Sequence, residues 1–359
     1  MKPSRTAPAA RRGAGLMSRA GPSDADDLLS RPLILIGCGR SGSTLFSRLL
    51  DAHPDMQFLV ETDFLIARVW REVWDNRFWL NFEHHMRRDP KSSREVPVIP
   101  AAEVAMAKDR AARGVRMLFA EMMQLDRGHA AWGFKEIWNG NPAVATVPWS
   151  VYQAVFPNAR WVHLVRDPFA FAKSSARWNE TPLTASLLRQ ELRHWQEVVA
   201  WSRQLAGEPS YCEIRFEDLR KAPEATLAPI LAAAGLAWRP ECDVALSRRV
   251  MASPDASPYA VERTLRGKEI AALVAKIDGL SQLSSELGYA IPDKIEIQEP
   301  GEDVERSLPD RVDLRSMRRI ESPPDSRPKE APLGKMVRKV VERTLGRVGG
   351  PKARNKPGA

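Results

Sequence analysis

The sequence predicts an α/β fold built on a parallel sheet. Three observations carry that expectation. Five short apolar runs are spread along the chain, stretches of helical period lie between them, and a glycine-rich turn follows the first run. Strands separated by helices pair in parallel, because a parallel neighbour needs a crossover long enough to hold a helix.

Leu33-Ile34-Leu35-Ile36, ended by Gly37, reads as the first strand, apolar throughout because both of its faces are covered. Thr44 to Ala52 has helical period through Leu45, Phe46, Leu49 and Leu50, and His53-Pro54 ends it. Met56 to Val60 is the second strand. Thr62 to Trp79 is amphipathic and aromatic, with Phe64, Trp70, Trp74 and Phe78, and the polar, proline-containing residues 87–100 read as a loop. Ala102 to Gln124 is a long helix, Ala131 to Phe134 the third strand, Val144 to Val155 a helix, and Trp161 to Val165 the fourth strand. Helices follow from Phe169 to Arg177 and from Leu187 to Leu205. Tyr211 to Phe216 is the fifth strand, and Pro223 to Ala234 is a helix closed by Gly235. Two further helical stretches end near Leu287-Gly288-Tyr289, and the chain has no internal repeats.

Composition sets the outer bounds. The 359 residues are 43% hydrophobic and 28% charged, ordinary values for a globular protein. Residues 1–30, rich in Ala, Arg, Gly, Ser and Pro, are expected to be a disordered basic extension, although a basic, acid-poor start also suits an organelle transit peptide. One domain is expected over residues 31–290. Residues 291–359, charged and proline-rich, are expected to be a disordered tail, with a basic amphipathic helix near 335–348 that would suit an anionic membrane surface. The net charge of +9 fits either a solvated basic surface or an anionic partner. Cys38, Cys212 and Cys242 form no CxxC pair, which argues against a disulfide framework or a structural zinc site and fits a reducing, cytoplasmic setting. His53, His84, His85, His129, His163 and His194 lack metal-ligand spacing. No apolar run approaches the roughly 20 residues that span a bilayer. Nothing suggests specific nucleic-acid readout.

The chemistry concentrates in Gly37-Cys38-Gly39-Arg40-Ser41-Gly42-Ser43-Thr44, between a strand and a helix. Glycines let a backbone approach an anion closely, and the helix that follows offers free N–H groups and the positive end of its dipole. Three readings compete. A P-loop NTPase has the required glycine spacing in Gly37 and Gly42 and a fitting Thr44, but Ser43 stands where the phosphate-clamping lysine belongs. A dinucleotide fold matches G-x-G-x-x-G, with Glu61 near the place of a ribose-binding acid. A phosphosulfate loop uses Arg40 as its cation and the hydroxyls of Ser41, Ser43 and Thr44. A fixed guanidinium can neutralise the phosphate oxygen on which charge develops, with no metal. Cys38 is either a reactive thiol or a small filler.

A second anion site is placed at Arg166-Asp167-Pro168, directly after the fourth strand, with Ser174 along the next helix. Carboxyl ends of parallel strands are where α/β sheets bind ligands. Taken alone, the same residues suit a surface pair with Asp167 as a helix cap. Two separated anion sites fit a nucleotide that carries phosphates at both its 5′ and 3′ positions.

These residues resemble the sulfotransferases that use 3′-phosphoadenosine 5′-phosphosulfate (PAPS). Arg40-Ser41-Gly42-Ser43-Thr44 resembles their phosphosulfate loop, with Ser43 where threonine is usual. Asp51-Ala52-His53-Pro54 followed by Glu61-Thr62 is similar to the tyrosylprotein and related bacterial enzymes. Val151-Tyr152, Phe156-Pro157-Asn158, Val165-Arg166-Asp167-Pro168 and Ser174 are similar to the family's 3′-phosphate block, and Ile214-Arg215-Phe216-Glu217-Asp218-Leu219 to its fifth-strand segment. The resemblance runs from about residue 32 to 290. It implies a P-loop-like three-layer fold with a five-stranded parallel sheet, Glu61 as general base, and Lys135, just after the third strand, as the lysine that assists the leaving group. It implies a loose counterpart of a C-terminal basic loop in Ser257 to Lys268, with Arg263, Arg266 and Lys268. Phe216 replaces a tyrosine of the tyrosylprotein enzymes, and Val60 stands where they carry a second acid, so peptide-tyrosine specificity is not implied. The activity expected is metal-independent transfer of a sulfuryl group from PAPS to an acceptor hydroxyl or amine on a carbohydrate, lipid-linked glycan, peptide or small molecule. A P-loop kinase or NTPase and a non-catalytic nucleotide-binding adaptor stay open as alternatives.

Overall fold

The computed structural model describes residues 22–78, 101–126, 128–138, 149–247 and 260–300. Its centre is a parallel sheet of five strands: β1 (Leu33–Cys38), β2 (Met56–Glu61), β3 (Ala131–Trp138), β4 (Arg160–Val165) and β5 (Tyr211–Arg215). They lie in the order β2-β3-β1-β4-β5, all parallel. The first strand is buried along its whole length, which is why it reads as an uninterrupted apolar run.

Side chains alternate across a strand, so β1 feeds two cores. Leu33 and Leu35 pack with α2 (Ser43–Asp51) through Phe46, Leu49 and Leu50. Ile34 and Ile36 pack on the opposite face, with residues of α3 (Leu65–Trp70), α4 (Ala101–Met122), α5 (Trp149–Val155), α6 (Pro168–Trp178) and α7 (Ala185–Ser202). That second core is dense in aromatic rings: Phe119, Trp132, Phe134 and Phe156 pack with centroids 5.3–6.2 Å apart. The layers are therefore helix, sheet and helix. Because α2 leaves β1 toward one face and α6 leaves the adjacent β4 toward the other, the strand connections part between β1 and β4. The crevice opened there, outside the strand carboxyl ends, is the ligand position of an open α/β sheet. The remaining helices are α8 (Phe216–Lys221), α9 (Pro223–Ala233), α10 (Pro240–Ser247), α11 (Gly267–Val274) and α12 (Leu280–Glu286).

Four expectations are corrected. The disordered extension through residue 30 gives way to a helix over Pro22–Ser30, in which Leu29 and Ser30 are buried. That helix is tied down where the Leu28 carbonyl accepts the Trp132 indole N–H at 2.9 Å and Asp26 meets the buried Arg116 at 3.2 Å. The third strand runs on to Trp138, so Lys135 lies inside it rather than after it. The fifth strand stops at Arg215, and Phe216 opens a helix. The tail expected from residue 291 and the basic loop expected over 257–268 instead yield two antiparallel strands, β6 (Ala260–Arg266) and β7 (Lys294–Pro300), with Leu265, Ile295 and Ile297 buried. In β7 the charge hides an apolar–polar alternation, Ile295 and Ile297 between Lys294, Glu296 and Gln298, the pattern of a half-buried strand. Trp79, the loop at 87–100, the tail beyond residue 300 and the helix near 335–348 lie outside the described residues. Among those described, no helix is long and apolar enough to cross a membrane.

Candidate active site

The turn after β1 is shaped by its backbone. Arg40 sits in the left-handed region at φ 61° and Gly42 at φ 96°. Glycine is required at residue 42 twice over: by that φ, and because a Cβ there would overlap the Phe216 ring. No side chain caps α2, and Leu45 and Phe46 turn their N–H groups back to the Gly42 carbonyl at 3.0 and 3.2 Å. The amides ahead of them face the end of the turn, where the helix dipole favours an anion. Ser41 and Ser43 are buried, and Thr44 is half-buried. Cys38 is buried with its sulfur 4.0 Å from the Trp195 carbonyl, and burial raises its thiol far above the ordinary value. Both features fit the filler reading rather than the reactive thiol.

The turn after β4 meets the first one directly. Arg166 Nη1 donates to the Arg40 carbonyl at 2.8 Å, and the Arg166 carbonyl accepts the Trp195 indole N–H at 3.0 Å. Each guanidinium lies on an aromatic face, Arg40 over Trp178 at 4.2 Å and Arg166 over Phe216 at 4.8 Å. Burial lowers the pKa of both, and the Arg40 charge lowers that of Arg166 further, partly offset by Glu217 and Asp167. The Nε atoms of Arg40 and Arg166 are buried with no hydrogen-bond partner among the described residues. Buried donors normally find acceptors, so two unsatisfied guanidinium donors in one crevice suit an arriving anion. Asp167 caps α6 by accepting from Ala170 N–H at 2.7 Å, with Pro168 in the first turn, and its own N–H is donated to Glu217 at 3.1 Å. Glu217 in turn accepts from the Tyr289 hydroxyl at 2.9 Å. Ser174 is half-buried on the same helix.

Along the same edge of the sheet, Glu61 and Lys135 stand opposite each other in register, at an irregularity that begins after Phe58. Lys135 Nζ is 3.7 Å from Glu61 Oε2, with the lysine side chain 14% exposed and the glutamate 33%. Thus the structure joins Arg40 and its turn to Arg166, and Glu61 to Lys135, while Ser174 lies on the helix that starts after Arg166. Arg263 and Arg266 belong to β6, and Arg263 is paired with Glu269 at 2.6 Å.

Sequence reasoning missed Glu136. It is completely buried next to Lys135. Its carboxylate accepts from the hydroxyls of Thr62 and Tyr152 and from the N–H of Phe64. Burial pushes it up to about 7, the three hydrogen bonds pull it down, and the Glu61 charge adds to the rise. A charged residue inside the apolar run Ala131–Trp138 is the signal that marked it. Trp178 was missed as well, because only the fold brings it under Arg40. A contrasting carboxylate lies on β5. Burial raises Glu213, but hydrogen bonds from Arg203 and His163 outweigh that and hold it at about 2. The buried His163 contacts both Glu213 and Tyr211.

The architecture and this edge define a P-loop-like α/β protein whose glycine turn carries arginine as its cation. The chain belongs to the sulfotransferase family: the profile described as "Sulfotransferase family" matches residues 32–240, more than half of its length. It is 29% identical over 216 residues to protein-tyrosine sulfotransferase 2 of Gallus gallus, an alignment covering 58% of this chain and 52% of that protein. The chain thus spans about half the length of that relative. Among solved structures, the sulfotransferase domain from the curacin biosynthetic pathway aligns with 73% of this chain and 98% of its own, at 18% identity and a TM-score of 0.41. A sulfotransferase from Alicyclobacillus acidocaldarius aligns with 72% of this chain and 97% of its own, at 15% identity and a TM-score of 0.38.

Proposed function

We propose that this protein transfers a sulfuryl group from PAPS to a hydroxyl or amine acceptor without a metal. The observation that carries the reading is the joining of the two anion turns, Arg166 Nη1 on the Arg40 carbonyl at 2.8 Å, with buried, unpartnered Nε donors on both arginines. Two cations in one crevice suit a nucleotide with phosphates at both ends of its ribose. Arg40, Ser41, Gly42, Ser43 and Thr44 hold the 5′-phosphosulfate, and Arg166 and Ser174 hold the 3′-phosphate. Bound there, PAPS supplies an activated sulfur and a good leaving group.

The chain's own residues do the rest. Glu61 takes the acceptor proton as the acceptor oxygen or nitrogen bonds to sulfur. The sulfur–oxygen bond to the 5′-phosphate breaks, and 3′-phosphoadenosine 5′-phosphate (PAP) leaves with the charge. Lys135 and Arg40 stabilise that charge as it develops on the phosphate oxygen, where fixed cations act most strongly. The deciding experiment is a thermal-shift panel with PAP, ATP–Mg²⁺ and NADP. A ligand selective for the native state raises its apparent stability. PAP should give the largest shift, and Arg40→Ala should abolish it. A dominant ATP–Mg²⁺ response would favour a kinase or NTPase, and PAP binding with no transfer to any acceptor a non-catalytic adaptor.

A further inference from the structure

The segment that carries Glu61 has a costly backbone. Asp63 and Phe64 both lie at positive φ, 50° and 54°. Consecutive residues with a Cβ rarely adopt that region and stay there only when their surroundings hold them. Arg68 meets the Asp63 carboxylate at 3.2 Å and the Phe64 ring packs on Trp201, while the polar groups of the turn converge on one side chain. Glu136 Oε1 accepts from the hydroxyl of Thr62 and, at 2.9 Å, from that of Tyr152 on α5, while Oε2 accepts the Phe64 N–H at 2.9 Å. The backbone adds two clamps, Thr62 N–H on the Lys135 carbonyl at 3.3 Å and Leu65 N–H on the Thr62 carbonyl at 3.1 Å. A carboxylate with no exposed surface thus grips the turn on both sides of Asp63 and locks it to a helix from elsewhere in the chain.

We propose that Glu136 is a positioning residue for the base: its carboxylate, beneath the turn at residues 61–64, fixes where Glu61 points. This rests on Glu61 acting as the base. It differs from a purely structural role, because a stabilising residue would lower the yield of folded protein without selecting the proton-transfer step. Misplacing a reacting group by about 1 Å costs up to about 10² in rate.

The test combines kinetics with hydrogen–deuterium exchange. Transfer is followed as PAP release from PAPS over a panel of phenol, alcohol and amine acceptors. Glu136→Gln should lower kcat by about 10-fold to 10²-fold, leave PAP affinity unchanged, and raise deuterium uptake over residues 61–65 but not over β1 or β4. Placed on Glu61→Gln, the same substitution should cost nothing more, since a base that is absent cannot be misplaced. An equal loss in both backgrounds, or unchanged uptake over 61–65, overturns the positioning role while leaving Glu61 as base. Unaltered turnover in Glu61→Gln removes the base reading itself, and the inference with it, so the two failures are told apart. Should Glu136→Gln not fold, Thr62→Val deletes one of the three donors at nearly constant shape and carries the same cycle.

Discussion

The two ends of the sheet edge are built from opposite materials. At the β1–β4 end, two guanidiniums rest on Trp178 and Phe216 and keep buried N–H donors in reserve. At the β2–β3 end, Glu61 faces Lys135, and the buried Glu136 of the same strand as Lys135 is satisfied by neutral hydroxyl and amide donors. One end keeps unsatisfied guanidinium donors, and the other holds a carboxylate with neutral donors.

The sharpest way to break this contrast is at the cationic end. Arg40→Ala should reduce kcat/KM by about 10²–10³, the scale for deleting one preorganised charge-stabilising donor, and steady-state kinetics with PAPS would show it. Unchanged kinetics would mean that the loop does not hold the phosphosulfate. At the other end, Glu61→Gln should lower turnover by about 10² while calorimetric PAP affinity persists; a loss of affinity instead would place Glu61 at the nucleotide. Smaller still, Ser174→Ala should weaken PAP by about tenfold, the lower end of the worth of one hydrogen bond to a charged group, and a titration showing no change would remove Ser174 from the site.

The last prediction sets two carboxylates against each other. Glu136 is raised to about 7 in the fold against an ordinary 4.5, chiefly by burial. A raised value means that its favourable contribution is complete below 4.5 and disappears as pH climbs through 7. Glu213 is held at about 2 against the same 4.5, so its contribution is present above 4.5 and disappears as pH falls toward 2. The charged or titratable neighbours of the first network are Glu61 and Tyr152, with Arg68 acting on Tyr152, and those of the second are Arg203, His163 and Tyr211. The Glu136 contribution should therefore lower the melting temperature between about pH 4.5 and about pH 7, against the buried His163 and His194, whose lowered values act in the opposite sense, and the Glu213 contribution should be lost in acid. The difference in melting temperature between Glu136→Gln and the parent should change between about pH 4.5 and about pH 7 and stay constant in acid, and a pH-independent difference would refute the assignment.

The same contrast explains what the sequence revealed. The cationic end was legible because its chemistry is contiguous: Arg40 to Thr44 is one turn, Arg166-Asp167-Pro168 another, and each announces itself by glycine or proline beside a strand. The Glu136 network was not, because Thr62, Phe64 and Tyr152 come from a turn and a distant helix, and a hydrogen bond between remote residues leaves no local pattern. The parallel five-stranded sheet followed from apolar runs alternating with helical stretches. The β6–β7 pair did not, since the charges of Lys294 and Glu296 mask the period of Ile295 and Ile297, and the helix at Pro22–Ser30 is submerged in the composition of the residues before it.

The close approach of Gly42 and Phe216 ties two distant positions into a single unit of variation. A smaller residue at 216 would make room for a methyl group at 42, yet the backbone angle there would still resist it, so a compensating pair can recover only the steric half of the loss. Any attempt to diversify this loop by exchanging residues one at a time will find position 42 immovable and position 216 free only on the side away from it.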